Sequence, residues 1–189
     1  MEGSELSLFA LCDGERAVPL QPARDYKRIY DGDRGPNTGG MGAFSPVPGA
    51  PDPHELCARI HQPIVDLMRE RGTPFHGLLY AGLMLTDEGA KVVEFNVRFG
   101  DPETQALLPR LRSDLLEVML AATKPGGLAG VELDFDERCA VTVVLAGAGY
   151  PASSSKGDVI TGVEEAAATG AEILHAGTAR REDGALVTA

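Results

Sequence analysis

Two stretches of this chain contain apolar segments joined by turns too short for anything but a hairpin. Residues 5–20 carry the tight turn Asp13-Gly14, and residues 76–99 carry a tight turn at 87–89. Strands joined in this way pair antiparallel, whereas parallel strands need a long crossover. The sequence therefore predicts an antiparallel sheet as the frame of the molecule.

Capping signals and apolar spacing predict three helices. The first begins after the capping residue Asp52, with an apolar face formed by Leu56, Ile60, Ile64, Leu67 and Met68. A short helix is expected after Gly100-Asp101-Pro102. A longer helix over residues 114–123 has Ser113 as its predicted cap and a core face of Leu115, Leu116, Met119 and Leu120. Together with the sheet, these helices predict an α+β fold.

Three further segments bear on the organisation of the chain. Residues 24–46 contain five glycines and no apolar periodicity, which predicts a long functional loop. Residues 139–146 (CAVTVVLA) predict a central strand. The helix break at 124–127 lies where we place the boundary between a first domain, residues 1–125, and a second domain, residues 126–189.

The composition limits the classes of function. The chain is 43% hydrophobic and 24% charged, which is typical of a globular protein, and no stretch approaches the roughly 18 apolar residues of a membrane span. A formal net charge of −11 argues against binding to a nucleic-acid backbone. The three cysteines are far apart, and no secretion signal is recognisable, so a cytoplasmic location is expected.

The segment VVEFNVRFGDPE, residues 92–103, carries the clearest candidates for chemistry. Side chains alternate along a strand, so Glu94, Asn96 and Arg98 are expected on one face. The opposite face is then apolar and consists of Val93, Phe95, Val97 and Phe99. Oxygens from Glu94 and Asn96 suit Mg²⁺, and Arg98 could bind a carboxylate or phosphoryl group. A solvated edge strand has the same pattern, but the acidic turn with Asp101 and Glu103 favours a site.

The second candidate is the glycine-rich segment GPNTGGMG, residues 35–42. It has neither the lysine and hydroxyl of a P-loop nor the dinucleotide-binding fingerprint. Its glycines would let backbone N–H groups approach a phosphate or a sugar, although a mobile surface loop has a similar composition. Asp25, Lys27 and Arg28, just before it, could supply charge.

These motifs together resemble a known family. EGSELSLFALCDG, DYKRIYDGDRGPNTGGMGAFSP, GLLYAGLML and EFNVRFGDPETQ occur in the order and with the spacing of the phosphoribosylamine–glycine ligases, which are ATP-grasp enzymes. GDVITG followed by HAGT resembles the start of that family's C-terminal domain. The resemblance implies an ATP-grasp subdomain with an antiparallel sheet and packed helices, followed by part of a small β-rich C-terminal domain.

The resemblance also implies a reaction and a role for each matching residue. ATP would phosphorylate the carboxylate of glycine, and the amine of 5-phosphoribosylamine would attack the acyl phosphate to give glycinamide ribonucleotide, ADP and phosphate. Glu94 and Asn96 match ligands of Mg²⁺ or Mn²⁺, and Glu5 and Glu94 match the ATP site. Arg98 and Asp101 match catalytic positions. The expected substrate-binding residues are Lys27, Pro36, Asn37, Thr38, Gly39, Gly40, Arg98, Asp101 and Glu103.

Family members have an N-terminal domain and a first ATP-grasp subdomain before the position that matches Met1. The resemblance therefore implies a fragment with about half of the ATP cleft, inactive without the missing N-terminal half. Two alternatives remain open: another ATP-grasp ligase with a different acid or amine, and a non-catalytic subunit of a split enzyme. The GPNTGGMG segment favours the phosphoribosylamine–glycine ligase family over another ATP-grasp ligase, because ATP-grasp relatives share the metal strand more readily than this loop.

Overall fold

The computed structural model describes residues 2–189. Its strands are β1 (Ser4–Asp13), β2 (Ala17–Pro19), β3 (Arg24–Asp25), β4 (Arg28–Tyr30), β5 (Arg34–Asn37), β6 (Gly42–Ser45), β7 (His76–Thr86), β8 (Gly89–Asn96), β9 (Ala140–Val143), β10 (Thr178–Arg180) and β11 (Leu186–Thr188). Its helices are α1 (Pro53–Glu70), α2 (Glu103–Leu107), α3 (Leu115–Ala122) and α4 (Val163–Ala168), with a 3₁₀ turn at Leu108–Arg110. No helix within residues 2–189 is long and apolar enough to cross a membrane.

A four-stranded antiparallel sheet with the order β2-β1-β7-β8 forms the frame. Both predicted hairpins are present, and the Asp13 N–H donates to the Arg16 carbonyl across the first turn. Helices pack on both faces of this sheet, so the predicted α+β fold is confirmed. Strand β8 is an edge strand, because it pairs with β7 on one side only.

The two faces of the sheet bury different cores. On one face, alternate residues of β1, among them Leu8 and Ala10, pack with Leu56 and Val65 of α1. On the other face, Phe9 and Leu11 of β1 and Leu78 and Tyr80 of β7 pack with buried residues of the helices, which are Leu107 of α2 and Val118 and Ala122 of α3. Glu5 and Ser7 share the face of Phe9, because side chains alternate along the strand. Neither Glu5 nor Ser7 belongs to the core cluster that α3 covers.

Helix α1 packs on the core with most of its predicted face, since Leu56 is buried and Ile60 and Ile64 pack beside it, whereas α3 turns a different side to the core from the one predicted. Asp52 caps α1 as expected, accepting from the N–H groups of His54 and Glu55. The buried side of α1 is formed by Leu56, Cys57, His61 and Val65, whereas Leu67 is exposed. Helix α3 is capped by Asp114 and not by Ser113. It buries Val118 and Ala122, and leaves exposed Leu116, Met119 and Leu120. The α3 sequence, LLEVMLAA, is apolar on nearly every side, so periodicity alone does not select the buried face.

The segment predicted as one long loop, residues 24–46, contains four short strands. Strands β4 and β5 form a hairpin, and β6 pairs with β3 and β9. Residues 38–41 are the part of the glycine-rich segment without regular structure. Strand β9 is an edge strand in a three-stranded sheet, and Val141 is 71% exposed, so the predicted central position is wrong. The boundary at 125/126 stays a prediction; β9, which follows it, pairs with β6, which precedes it.

Candidate functional site

Strand β8 presents Glu94 and Asn96 on the same face of the sheet. Glu94 lies opposite Gly82 and Asn96 lies opposite Tyr80 in the register with β7. The Asn96 Nδ2 donates to the Glu94 Oε1 at 3.2 Å. The predicted pairing of these two side chains on one face is confirmed, and their contact leaves the second carboxylate oxygen and the Asn96 Oδ1 available.

The predicted alternation is broken within β8 and does not continue past the end of the strand. The register with β7 shifts between Gly82 and Leu83, so Val93 lies in a bulge. The strand ends at Asn96, because the residues of β7 that precede Tyr80 pair with β1 alone. Beyond Asn96, Phe99 packs on the core cluster of Phe9. Phe99 therefore lies on the face of the sheet that carries Glu94, and not on the predicted face with Phe95.

Arg98 therefore lies outside the strand, and its predicted position in line with Glu94 and Asn96 is wrong. It is exposed, and its Nη1 donates to the carbonyl of Phe99 at 2.9 Å. A guanidinium held by one backbone carbonyl is free to reorient toward an incoming anion. A role for Arg98 in binding substrate stays a prediction.

A cluster of charged groups from β1, β3 and the residues just after β3 faces Glu94. Lys27 Nζ lies 3.1 Å from Glu5 Oε2 and 3.5 Å from Asp25 Oδ2. The walls of a cavity of about 30 Å³ contain side chains from β1, from this cluster, from β7 and from β8: Glu5, Ser7, Asp25, Lys27, Tyr80, Val93 and Glu94. Three predicted site residues that are far apart in the chain, Glu5, Lys27 and Glu94, thus meet at one cavity.

Burial and neighbouring charges determine the protonation of this cluster. Burial raises the pKa of Asp25; Lys27 lowers it, but Glu103 and Glu5 raise it further. Burial by itself lowers the pKa of Lys27, but Asp25 and Glu5 outweigh burial and raise it above that of an ordinary lysine. Burial likewise raises the pKa of Tyr80. At neutral pH the cavity therefore contains a lysine ammonium and a protonated tyrosine hydroxyl.

Glu103 joins this cluster from the start of α2. It is 4% exposed, and its Oε1 accepts from the Ser7 hydroxyl at 2.9 Å. The Ser7 Oγ also lies 3.2 Å from the Tyr80 hydroxyl. A buried carboxylate thus holds two neutral hydroxyl groups of the cavity wall in place.

The glycine-rich segment reaches the cluster through the main chain of Lys27. The Thr38 N–H and hydroxyl both donate to the Lys27 carbonyl, at 2.7 and 2.8 Å. The Gly40 N–H donates to the Thr38 Oγ1 at 3.0 Å, and the Met41 N–H donates to the Tyr26 carbonyl at 2.6 Å. The Gly39 N–H donates to the Tyr150 hydroxyl at 2.9 Å. All four amides of residues 38–41 therefore have protein acceptors, and the expected row of free N–H groups is absent from this conformation.

The other end of this loop lies against the acidic turn. Gly40 has a φ of +128°, and a Cβ there would overlap the Pro102 ring. Asp101, next to Pro102, is exposed and accepts from the Gln105 Nε2 at 2.6 Å. Pro36 and Asn37 are exposed in β5. The structure thus places the loop between Lys27 and Asp101.

The oxygen donors at this site fit a hard cation. Among residues 2–189 no group of three or more His, Cys, Asp or Glu side chains is placed to hold a metal ion. Glu94 and Asn96 supply two oxygens, and Mg²⁺ in nucleotide sites commonly takes one or two protein ligands, with water and phosphate oxygens completing the shell. The donor set therefore suits a divalent cation that arrives with a nucleotide.

Comparison with known proteins assigns the chain to a family. Residues 1–104 match the family described as "Phosphoribosylglycinamide synthetase, ATP-grasp (A) domain". The chain belongs to the phosphoribosylglycinamide synthetase family. Residues 140–189 match a second description, "Phosphoribosylglycinamide synthetase, C domain".

Relatives in the phosphoribosylglycinamide synthetase family match nearly the whole chain. The phosphoribosylamine–glycine ligase of Streptomyces coelicolor is 54% identical over 196 residues, which cover 100% of this chain and 46% of that protein. The trifunctional purine biosynthetic protein adenosine-3 of Gallus gallus is 49% identical, and the match covers 100% of this chain and 19% of that protein. The crystal structure of phosphoribosylamine–glycine ligase from Thermotoga maritima has a TM-score of 0.81 at 38% identity, over 100% of this chain and 46% of that one. The chain spans about half the length of these two ligases.

Three residues of the candidate site were not predicted. Ser7 could have been found, because it follows Glu5 at the spacing of two that puts both on one strand face. Tyr80 sits in an apolar strand, where an aromatic residue is usually core, and it is both core and cavity wall. Tyr150 lies 111 residues from its partner Gly39, and no sequence pattern connects them.

Proposed function

We propose that this chain supplies the metal-binding and acceptor-binding part of an ATP-dependent ligase that joins glycine to 5-phosphoribosylamine in purine biosynthesis. The observation that carries the proposal is the convergence of Glu94 with Glu5 and Lys27 on one cavity. The names of the relatives support the reaction: two are phosphoribosylamine–glycine ligases, and one is a trifunctional purine biosynthetic protein.

The proposed reaction has two steps. An oxygen of the glycine carboxylate attacks the γ-phosphorus of ATP, the bond from that phosphorus to the β-phosphate oxygen breaks, and ADP leaves. The nitrogen of 5-phosphoribosylamine then attacks the carbonyl carbon of glycyl phosphate, loses a proton, and displaces phosphate to give glycinamide ribonucleotide. Both steps depend mainly on positioning and on the stabilisation of negative charge.

Each residue of the site has a role in this proposal. Glu94 and Asn96 would hold Mg²⁺ or Mn²⁺, which would neutralise phosphate charge. Lys27, fully charged between Glu5 and Asp25, fixes the charge balance of the cavity. Arg98 reorients toward the reacting carboxylate or phosphoryl group.

The remaining predicted residues lie on the acceptor side. Asp101, the end of β5 at Pro36 and Asn37, and residues 38–40 form the binding surface for 5-phosphoribosylamine. Glu103 holds Ser7 and Tyr80 in place, and its predicted direct contact with substrate stays a prediction. Glycine, the acceptor and ATP are the proposed partners, together with the part of the ligase that lies outside the matched segment.

A cytoplasmic location completes the proposal. Cys12, Cys57 and Cys139 are all free thiols, as expected in a reducing compartment. Cys12 and Cys57 are buried side chains, and burial raises the pKa of each thiol to about 12, so they are unreactive packing groups.

The test is a ligase assay on a protein that combines this chain with the segments of the Streptomyces coelicolor relative outside the match. Glycinamide ribonucleotide is detected by mass spectrometry, with ATP, glycine or 5-phosphoribosylamine omitted in turn. We expect product only with all three substrates, and none from this chain alone. A folded combined protein that makes no product, while the parent ligase does, rejects the proposed function.

The metal role is tested by Glu94→Gln in the same protein. Loss of a group that stabilises developing charge should lower kcat/KM by about 100-fold or more. Glu88→Gln is the matched control, since Glu88 lies at the tip of the same β7–β8 hairpin and is largely exposed. Equal activity of the Glu94 and Glu88 variants, at saturating and at limiting Mg²⁺, contradicts the assignment.

A further inference from the structure

The hydroxyl of Tyr150 touches the glycine-rich loop from the C-terminal part of the chain. The Gly39 N–H donates to it at 2.9 Å. A Cβ on Gly39 would come within 3.3 Å of the same oxygen, so a residue without a side chain lets the hydroxyl approach the backbone closely. This contact lies outside every role assigned to the loop above.

Tyr150 is held in position by a compact turn at residues 147–155. Its N–H donates to the Gly147 carbonyl, and the Ser153 N–H donates to the Gly149 carbonyl at 2.9 Å. The Val144 N–H donates to the Met41 carbonyl at 2.9 Å, which fixes the start of this segment to the end of the loop. The hydroxyl therefore reaches Gly39 from a braced backbone.

The direction of the hydrogen bond leaves one donor unused. A backbone N–H can only donate, so the Tyr150 oxygen is the acceptor in its bond with Gly39. The hydroxyl proton is then free to be donated elsewhere, and among residues 2–189 it has no acceptor. Other hydroxyls near the site, those of Ser7 and Thr38, donate to protein acceptors.

We propose that Tyr150 binds the acceptor substrate by donating its hydroxyl proton to an oxygen of the phosphoribosyl group. This rests on the proposed function, which places 5-phosphoribosylamine at the loop of residues 36–40. The Gly39 N–H orients the Tyr150 hydroxyl, and an oxygen of the phosphoribosyl group accepts the hydroxyl proton. The C-terminal segment thereby contributes a specificity-determining group to a site built mainly by the ATP-grasp part.

The experiment uses the full chain and ribose 5-phosphate, which has the acceptor's sugar and phosphate but no reactive amine. Dissociation constants are measured by NMR titration for the wild-type chain, Tyr150→Phe and Tyr30→Phe. Tyr150→Phe should weaken binding by about tenfold, as for one hydrogen bond to a charged group, and Tyr30→Phe should not change it. Tyr30 is the matched control, because it lies in β4 beside the loop and is exposed.

Two further measurements separate binding from a merely structural role. In Tyr150→Phe the Gly39 amide should exchange with solvent faster, and the melting temperature should stay within about 2 °C, as for a surface substitution. Equal ribose 5-phosphate affinities for wild-type and Tyr150→Phe chains, or no binding by either, overturn the proposal. Binding that depends on Tyr150 in a protein without ligase activity would reject the proposed function and retain this subsite.

Discussion

The carbonyl oxygen of Lys27 accepts two hydrogen bonds from Thr38, one from its N–H and one from its hydroxyl. The ammonium group of the same lysine lies between Glu5 and Asp25. One residue thus joins the glycine-rich loop to the charged cavity, so a change in the loop is expected to alter the cavity.

Thr38→Val tests this link, because valine has the shape of threonine without its hydroxyl. The variant loses the hydrogen bond from the hydroxyl to the Lys27 carbonyl and the acceptor for the Gly40 N–H, while the backbone N–H bond to Lys27 remains. These losses should lower the free energy of unfolding by about 1 to 2 kcal/mol. Urea denaturation measures the loss. Thr38→Ser keeps the hydroxyl and should stay close to wild type; equal losses in both variants would show that packing of the methyl group matters more.

Lys27→Met should destabilise the chain in a pH-dependent way. It leaves the buried Asp25 carboxylate beside Glu5 without its cation, at an expected cost of about 1 to 2 kcal/mol at pH 7, since Lys27 is partly exposed. The pKa of Asp25 is already raised by burial and rises further without Lys27. A carboxyl with a raised folded pKa binds more protons in the folded state, so the stability deficit should shrink as pH falls toward 4.

Denaturation curves between pH 4 and 8 check this dependence. The double variant Asp25→Asn/Lys27→Met removes the carboxylate together with its cation, and should recover part of the loss at pH 7. A deficit that is the same at every pH would contradict a role for Asp25.

His61 should make the chain sensitive to acid. It is fully buried between α1 and the sheet, and neither ring nitrogen has a hydrogen-bond partner in residues 2–189, although the backbone of Leu8 and Leu79 lies near. Burial lowers the pKa of His61 to about 4. The unfolded chain therefore binds the proton first, and stability is lost as pH falls from about 6.5 to 4, by roughly 3 kcal/mol in total.

His61→Leu should remove this part of the pH dependence and raise the melting temperature at pH 7, because an unsatisfied polar ring is replaced by an apolar group. Thermal unfolding at pH 5 and pH 7 measures both effects. His54→Leu, at an exposed position of the same helix, is the control. An acid transition that persists unchanged in His61→Leu would assign it to the carboxylates.

Gly40→Ala should disturb the contact between the loop and the acidic turn. The added methyl group meets the Pro102 ring, and φ at this residue is +128°. We expect a loss of about 2 to 3 kcal/mol in unfolding free energy and weaker acceptor binding. Gly72→Ala is the matched control: φ is +74° and nothing lies within 4 Å of its Cβ, so it should cost only about 1 kcal/mol. Equal costs would show that backbone strain alone is responsible.

Local sequence signals predicted several local features of the fold correctly, although the cap of α3 is Asp114 and not Ser113. Asp13-Gly14 forms a tight turn, and Asp52 caps α1. Period-two alternation places Glu94 and Asn96 on one face. Each of these follows from interactions within a few residues. The placement of Glu94 and Asn96 on one face and both hairpins were therefore predictable before any tertiary structure was known.

Pairing with distant segments decided what local patterns left open. Arg98 and Phe99 continue the alternation in the sequence, but β8 ends at Asn96, where its pairing with β7 ends. Helix α3 is apolar nearly all round, and contact with β1 and β7 selects Val118 over Leu116 for burial. The same applies to β9, whose apolar sequence suggested a central strand and whose neighbours leave it at an edge.

The sequence by itself determined the hairpins, the helix starts and the oxygen donors on β8, since turns, caps and strand alternation are short-range physics. Only the tertiary structure decided that Lys27 meets Glu5 and Asp25, that Glu103 holds Ser7, and that Tyr150 reaches Gly39. These partners are separated by up to 111 residues, and no local preference encodes a contact over that distance. They meet because burying both faces of one sheet brings their strands and loops together.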